Sequence, residues 1–238
     1  MRYLFTKEHE SNFKSRKAFH WCSLYGSAQS LALIELAKTK QQVILVIADD
    51  IKDYNKIYNS LNFYNQDLTI LRFDNWEVLA FDHFSPHPDI TSNRLSTLYK
   101  LQDLKRGIVI TTLESLSQRL CPLEYVNSYS FELNCGDDLN LESFTKNLHK
   151  IGYNRVNSVM EHGEYSVKGS LIDLYPMGSR LPYRVDLFDQ EIESIRTFDP
   201  TTQLSINLIN NIHLLPAREF SIEKSSIETF KENYIDIF

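Results

Sequence analysis

The chain is poor in glycine and proline, with seven of each in 238 residues, and poorer still in cysteine, with three. Cysteines this few, odd in number and widely spaced at Cys22, Cys121 and Cys135, exclude a disulfide framework. They suit a reducing, cytoplasmic compartment, and read as small buried hydrophobes. No run of about 18 apolar residues occurs, which excludes a membrane-spanning helix. The N-terminus, Met-Arg-Tyr-Leu-Phe-Thr-Lys-Glu, lacks the apolar core of a signal peptide. A basic excess is missing too, since the formal net charge is −6. Residues 1–130 hold 15 basic and 14 acidic side chains, residues 131–216 hold 7 and 12, and residues 217–238 hold 3 and 5. The acidic middle argues against phosphate-backbone binding there. It suits a protein partner with basic patches.

What is present is ordinary globular composition with patterned segments. Residues 1–20 are weakly patterned and receive no assignment. Trp21–Tyr25 reads as a short buried strand, followed by a turn-like run and a helical pattern through Leu33, Leu36 and Ala37. Val43–Ala48 is a continuous apolar run ending in Asp49-Asp50, the pattern of a fully buried parallel strand followed by a helix N-terminus. Ile51–Leu61 is that helix and Leu68–Phe73 another strand. Thr91–Leu104 is helical with Leu95, Leu98 and Leu101 on one side, Ile108–Thr112 is a strand, and Leu113–Leu120 a short helix. Strands separated by helices predict a mostly parallel α/β sheet.

Such a domain often binds nucleotide at its first loop. A P-loop needs Gly-x-x-x-x-Gly-Lys-Ser/Thr, with glycines to let backbone N–H groups wrap the phosphates, a lysine to neutralise them and a hydroxyl for magnesium. The corresponding window is Ser23-Leu24-Tyr25-Gly26-Ser27-Ala28-Gln29-Ser30. Ser23 and Ala28 replace the signature glycines, Gln29 stands in the lysine position, and only Ser30 survives. The loop therefore reads as a degenerate nucleotide site, and no cofactor is implied.

From Tyr129 the pattern changes. Tyr129, Phe131 and Leu133 alternate as a strand. Asn140 is placed as an N-cap with Leu139 and Phe144 as a hydrophobic staple, Phe144, Leu148 and Ile151 form the stripe, and Gly152 suits the C-terminal cap. Gly152–Pro200 then alternates short apolar runs with turn residues, the sequence form of an antiparallel meander. Within Tyr183–Phe188, Tyr183, Val185 and Leu187 share one face and Arg184, Asp186 and Phe188 the other. An Arg and a Phe on the non-core face have the composition of a protein-binding hot spot. The bland alternative is an ordinary surface strand, with Arg184 paired to Glu191 or Glu193.

Asp189-Gln190 joins two strands tightly and Asp199-Pro200 closes the meander. Ile212–Pro216 is a further strand. Ser225 and Glu228 form a capping box for a last helix with Ile227, Phe230 and Tyr234 on one face and Ile235 nearby. The chain stops at Phe238 on an apolar residue without a cap, as a fragment of a longer protein would. The expected fold class is α/β, an α/β domain over 1–130 that resumes at 217–238, with a small α+β domain, 131–216, inserted between. The ends of the insertion are expected close together.

Two further constellations have bland readings. Glu161 and Glu164 lack the nucleophile or second acid/base element of a catalytic pair. His83 and His87 have a helical metal-ligand spacing, but Pro86 and Pro88 disfavour a helix there, so they read as loop or core histidines.

Several runs, taken together, resemble the N-terminal region of the bacterial transcription-repair coupling factors, the Mfd family. They are Trp76-Glu77, Phe84-Ser85-Pro86-His87, Asp89-Ile90, Arg94-Leu95, Thr97-Leu98, Gln118-Arg119, Gly152-Tyr153 and Glu161-His162-Gly163-Glu164-Tyr165. Asp173-Leu174-Tyr175-Pro176-Met177-Gly178, Leu181-Pro182-Tyr183-Arg184, Phe198-Asp199 and Leu215-Pro216-Ala217 complete the set. They cover about Tyr25 to Phe220.

The resemblance implies a UvrB-like region: a RecA-like domain that lost its nucleotide site, without room in Ala80–Ser92 for the damage-probing hairpin of UvrB, and an inserted domain that binds the excision-repair protein UvrA. It implies UvrA contacts at Lys168, Arg184 and Phe188. Lys168 stands where the family pattern has Arg, and a lysine makes no bidentate fork. The translocase motor and the RNA-polymerase-binding domain of the family would lie beyond residue 238, with DNA and polymerase as partners of the whole protein, and a C-terminal domain would mask the UvrA face. The fragment itself is expected to be non-catalytic. The competing readings are an active nucleotide-binding domain, motivated by Ser30, and damaged-DNA binding, which the charge disfavours.

Overall fold

A computed structural model describes residues 21–65, 67–79 and 82–237. The chain divides into two compact units, one from Met1–Asn75 with Lys100–Gln118, the other from Trp76–Tyr99 with Arg119–Phe238. No helix among the described residues is long and apolar enough to cross a membrane.

In the first unit, helix α1 (Ala28–Lys40), strand β1 (Val43–Ala48), helix α2 (Ile51–Tyr64), strand β2 (Thr69–Arg72), strand β3 (Gly107–Thr112) and helix α4 (Leu113–Ser117) follow in chain order, with α3 (Pro88–Leu101) leaving and re-entering between β2 and β3. The sheet order is β1-β3-β2 and both pairings are parallel, as the alternation of strands and helices predicts. Asp50 caps α2 by accepting the Asp53 N–H at 2.7 Å, which satisfies one of the orphan donors of the first turn. Ile34, Ala37, Tyr54, Ile57, Leu61, Ile108 and Ile110 form the buried cluster between helices and sheet. Each buried isoleucine or leucine among them contributes roughly 1.5–3 kcal/mol by leaving water.

Two expectations fail in this unit. Trp21–Tyr25 is irregular, not a strand. Val43–Ala48 is a strand but not fully buried, because Leu45 and Ile47 lie exposed. Alternation sends successive side chains to opposite faces, and only the Val46 and Ala48 side meets the cluster.

The second unit is built on a six-stranded sheet in the order β10-β9-β8-β7-β6-β5. Its strands are β5 (Asn154–Arg155), β6 (Glu164–Lys168), β7 (Leu171–Leu174), β8 (Tyr183–Phe188), β9 (Glu191–Phe198) and β10 (Ser205–Ile209). From β6 onward every neighbour is antiparallel, the expected meander, while β5 runs parallel to β6. The turn after Phe188 is tight, with Phe188 paired directly to Glu191 and Asp189 at φ 58°. Asp199-Pro200 does not close the sheet, since β10 adds an edge strand beyond it. Its residues are mostly exposed, so it carries little of the periodic burial signal that marks a strand in sequence.

Strand β4 (Phe131–Asn134) pairs with β11 (Asn211–Leu214), placing Phe131 opposite Leu214. The two ends of the 131–216 segment therefore lie side by side. Helix α6 (Leu141–Lys150) starts at Asn140, whose side chain accepts the Ser143 N–H at 2.9 Å. It buries Phe144 and Leu148 as the stripe predicts. Gly152 follows at φ +97°, and a Cβ there would come within 2.7 Å of the Arg218 side chain. Helix α5 (Leu123–Ser128) has no counterpart in the sequence reading, and the last helix, α7 (Lys224–Ile237), begins one residue before the expected cap Ser225. Ile227 and Phe230 on α7 are exposed. The side chains of Ser225, Tyr234 and Ile235, and part of Ala80–Ser92, lie outside the described residues.

Helix α3 begins at Pro88 rather than Thr91 and leaves Leu101 exposed. Proline suits the first helical turn, whose N–H has no partner in any case. Within the second unit, α3 is fastened at Arg94, which is fully buried and donates from Nε and Nη2 to Glu219 Oε1 and Oε2. The Trp76 indole N–H reaches the same Oε1 at 3.2 Å and its ring stacks on the Arg94 guanidinium. Of the three cysteines only Cys121 is buried; Cys22 and Cys135 are exposed, against expectation.

Candidate functional site

The residues of interest lie on β6 and β8. Tyr183, Val185 and Leu187 of β8 face Leu174, Ile172, Ile195 and Ile192 across the neighbouring strands, and the interior of this face is apolar and buried. The opposite face carries Arg184, Asp186 and Phe188. Lys168 is opposite Leu171, and Leu171 opposite Asp186. Directly opposed residues share a face, so Lys168, Arg184 and Phe188 lie on one face of the sheet across three strands.

Their environments differ. Phe188 is 74% exposed, at the tip of the β8–β9 hairpin. A bulge between Asp186 and Leu187 in the pairing with β9 precedes it, a device that increases local twist and re-aims side chains. Lys168 is exposed and, among the described residues, its side chain makes no ion pair. It lines a shallow groove of about 530 Å³ with Arg155, Val156, Asn157, Ser166 and Val167.

Arg184 is only 21% exposed and is held inside the fold. Its Nε and Nη2 donate to Asp173 Oδ1 and Oδ2 at 2.7 and 3.0 Å, and Nη1 donates to the Gln203 carbonyl at 3.3 Å. Its guanidinium lies 4.9 Å from the centroid of the buried Phe198 ring. The fork on Asp173 raises the guanidinium pKa further above its ordinary value, despite partial burial. The ion-pair partner is thus Asp173, not Glu191 or Glu193; Glu191 sits opposite Phe188, and the residue opposite Arg184 on β9 is Arg196.

Sequence reasoning missed Asp173, Gln203 and Arg196. Asp173 lies in an apolar run, Leu-Ile-Asp-Leu, where an acid at a strand position was itself a signal that a cation faces it. Nothing local could have revealed Arg196, because cross-strand register is not a local property.

Of the other singled-out residues, Glu164 has a structural role. Glu164 Oε2 accepts the N–H groups of Met160 and Glu161 at 2.8 and 2.9 Å, clamping a turn. His83 and His87 sit in the loop before α3. In the first unit, Ser23 and Gly26 both have left-handed φ, of 62° and 59°. Ala28 opens α1 and its N–H is committed to the Tyr25 carbonyl at 3.2 Å, Gln29 follows within the helix, and Ser30 is buried.

Residues 131–220 match the UvrB interaction domain family. Over 215 residues, 90% of its length, the chain is 39% identical to the transcription-repair-coupling factor of Escherichia coli strain K12, of which it spans 19%. It is 41% identical over 212 residues, 89% of its length, to that of Haemophilus influenzae, spanning 18%. It is 29% identical over 199 residues, 84% of its length, to that of Bacillus subtilis, spanning 17%. The chain thus spans about a fifth of the length of these relatives, and the resemblance drawn from its motifs holds.

Proposed function

We infer that this chain, which resembles the UvrB-like region of the transcription-repair coupling factors, is a non-catalytic docking module that recruits UvrA to RNA polymerase stalled at DNA damage. The observation that carries the reading is the exposed Phe188 on the same sheet face as Arg184 and Lys168, inside the segment that matches the UvrB interaction domain. A large exposed aromatic at a hairpin tip, on the sheet face that also carries two cations, has the form of a binding hot spot. The rest of the chain is an α/β domain over 1–130 and 217–238, RecA-like with a degenerate loop at Ser23, Gly26, Ala28, Gln29 and Ser30, and 131–216 is the inserted UvrA-binding domain. The whole protein acts in the cytoplasm as an ATP-dependent DNA translocase that also engages DNA and polymerase, through domains outside this chain.

Two features of the degenerate loop count against nucleotide binding. A P-loop follows a strand, and here the two described residues before the window, Trp21 and Cys22, are irregular. The hydroxyl that would meet magnesium belongs to Ser30, which is buried.

The test is the affinity of the chain for purified UvrA, by calorimetry, beside Phe188→Ala. Loss of about tenfold or more in affinity is expected for a hot-spot aromatic. Undiminished affinity would remove Phe188 from the site, and absence of binding by the unaltered chain would remove the function.

A further inference from the structure

We propose that Leu208, on the edge strand β10, is a second apolar anchor of the docking face, so that the partner surface carries an apolar residue beside the carboxylate that meets Arg184. The inference rests on the docking reading above and deepens it, by naming the chemistry the partner presents.

One row of residues crosses four strands. Asp173, Arg184, Arg196 and Leu208 are opposed in turn on β7, β8, β9 and β10, and so share the face that carries Phe188. The row runs from a buried acid, through two cations, to a leucine that is 71% exposed. Asp173 and the Gln203 carbonyl take three donors of the Arg184 guanidinium. A guanidinium has five, so two N–H groups are left for a partner carboxylate, and the other three fix their direction. A charged contact of this kind gains most where apolar neighbours exclude water from it. Phe188 lies about 13 Å from Arg184 along β8, and Leu208 lies roughly 10 Å from it across the strands. Both fall within the footprint of a standard interface, about 800 Å² per partner, with Arg184 between them.

The edge itself points the same way. Edge strands are ordinarily guarded by charge, lysine above all. From Pro200 to Ala217 this chain has no Asp, Glu, Lys or Arg, although 24% of the whole is charged. Leu204 and Ile206 are exposed as well as Leu208, so the edge presents apolar side chains that gain by leaving water. The contact is made by those side chains rather than by strand addition. The pairing of β10 with β9 shifts register between Ser205 and Leu208, and a bulge of this kind spoils an edge as a template for another strand. A second copy of this chain is a poor occupant. A twofold contact centred on Leu208 would bring the two copies' Arg196 to roughly 10 Å of each other, with no opposite charge in the row but the buried Asp173. A partner with a carboxylate beside its apolar residue gains from the same arginines.

The experiment measures UvrA affinity, its salt dependence and the thermal midpoint for the chain and for Leu208→Ser, Leu208→Met, Phe188→Ala and Leu45→Ser, with sedimentation of each protein alone. Leu208→Ser is expected to weaken binding about fivefold or more. Its salt dependence should stay as in the unaltered chain, because no charge is removed, and its thermal midpoint should stay too, because the side chain is exposed. Leu208→Met, which keeps an apolar contact, should bind within about twofold of the unaltered chain. Leu45→Ser removes an exposed apolar residue of the first unit and should leave binding unchanged. If Leu208→Ser binds within about twofold of the unaltered chain while Phe188→Ala is weakened, the inference is overturned and the docking reading stands. A dimer of the unaltered chain that Leu208→Ser dissolves would also overturn it, since a second copy would then cover the edge. If the unaltered chain does not bind UvrA, or neither Phe188→Ala nor Leu208→Ser weakens binding, the docking reading falls and takes the inference with it.

Discussion

Arg184 and Asp173 stand directly opposite each other on β8 and β7 and are joined by two hydrogen bonds of 2.7 and 3.0 Å. Only 5% of the aspartate side chain is exposed, so the pair works as an internal brace under the candidate docking face.

Breaking the brace leaves one charge without its partner. Asp173→Asn is expected to lower unfolding free energy by about 1–3 kcal/mol, less than for a fully buried pair because Arg184 keeps some contact with water. Arg184→Ala should destabilise at least as much, since the carboxylate it strands is the more buried of the two. Urea unfolding measures both. A weakened partner affinity in Arg184→Ala would therefore mix lost structure with lost contact, which is why Phe188→Ala is the cleaner probe of binding.

The Arg94–Glu219 pair lies deeper, with no part of the arginine side chain exposed. Glu219→Ala is expected to cost about 3–5 kcal/mol by stranding a buried guanidinium. The double variant Arg94→Met, Glu219→Ala should be less destabilised than the sum of the two singles, because the stranded charge is gone. Chemical denaturation of the four proteins in the cycle decides it; additive losses would show that the two side chains act independently.

His213, stacked on Tyr99 at 4.5 Å, has its pKa lowered by burial, partly offset by Glu132 opposite it. A histidine whose folded pKa is depressed favours the folded state when neutral. Its contribution is complete above the unfolded value of about 6.5 and is lost as pH falls through the folded value. Melting temperature followed from pH 8 to pH 5 should drop less steeply in His213→Gln than in the unaltered chain. Parallel profiles would exclude His213 as a source of the slope.

The Cys121 thiol is pushed up to about 12, first by burial and then by Glu219. Because the thiolate is the reactive form, alkylation of the native chain at pH 8 should modify Cys22 and Cys135 and spare Cys121 until the protein unfolds. Mass spectrometry of digested samples gives the answer, and rapid labelling of Cys121 in the native state would contradict the burial.

Much of the architecture was legible because its causes are local. Asn140 and Asp50 were readable as caps, since a side chain reaching the N–H three residues on needs no distant partner. Val43–Ala48 and Ile108–Thr112 were readable as strands from their apolar runs. Where burial depended on what lay across the sheet, the reading went wrong: Leu45 and Ile47 are as apolar as Val46 yet exposed. Strand β10 was invisible for the same reason, being an edge strand whose polar and apolar residues are nearly all in water.

For the candidate site, the sequence by itself determined which side chains of β8 share a face, because a strand alternates whatever surrounds it. It also supplied, through its motifs, the resemblance to the coupling factors. Only the tertiary structure decided that Arg184 is tied down by Asp173 while Arg196 opposite it has no ion pair or hydrogen bond among the described residues. Register and bulge set those partners, and both are fixed by the packing of strands far apart in the chain, where no local pattern reaches.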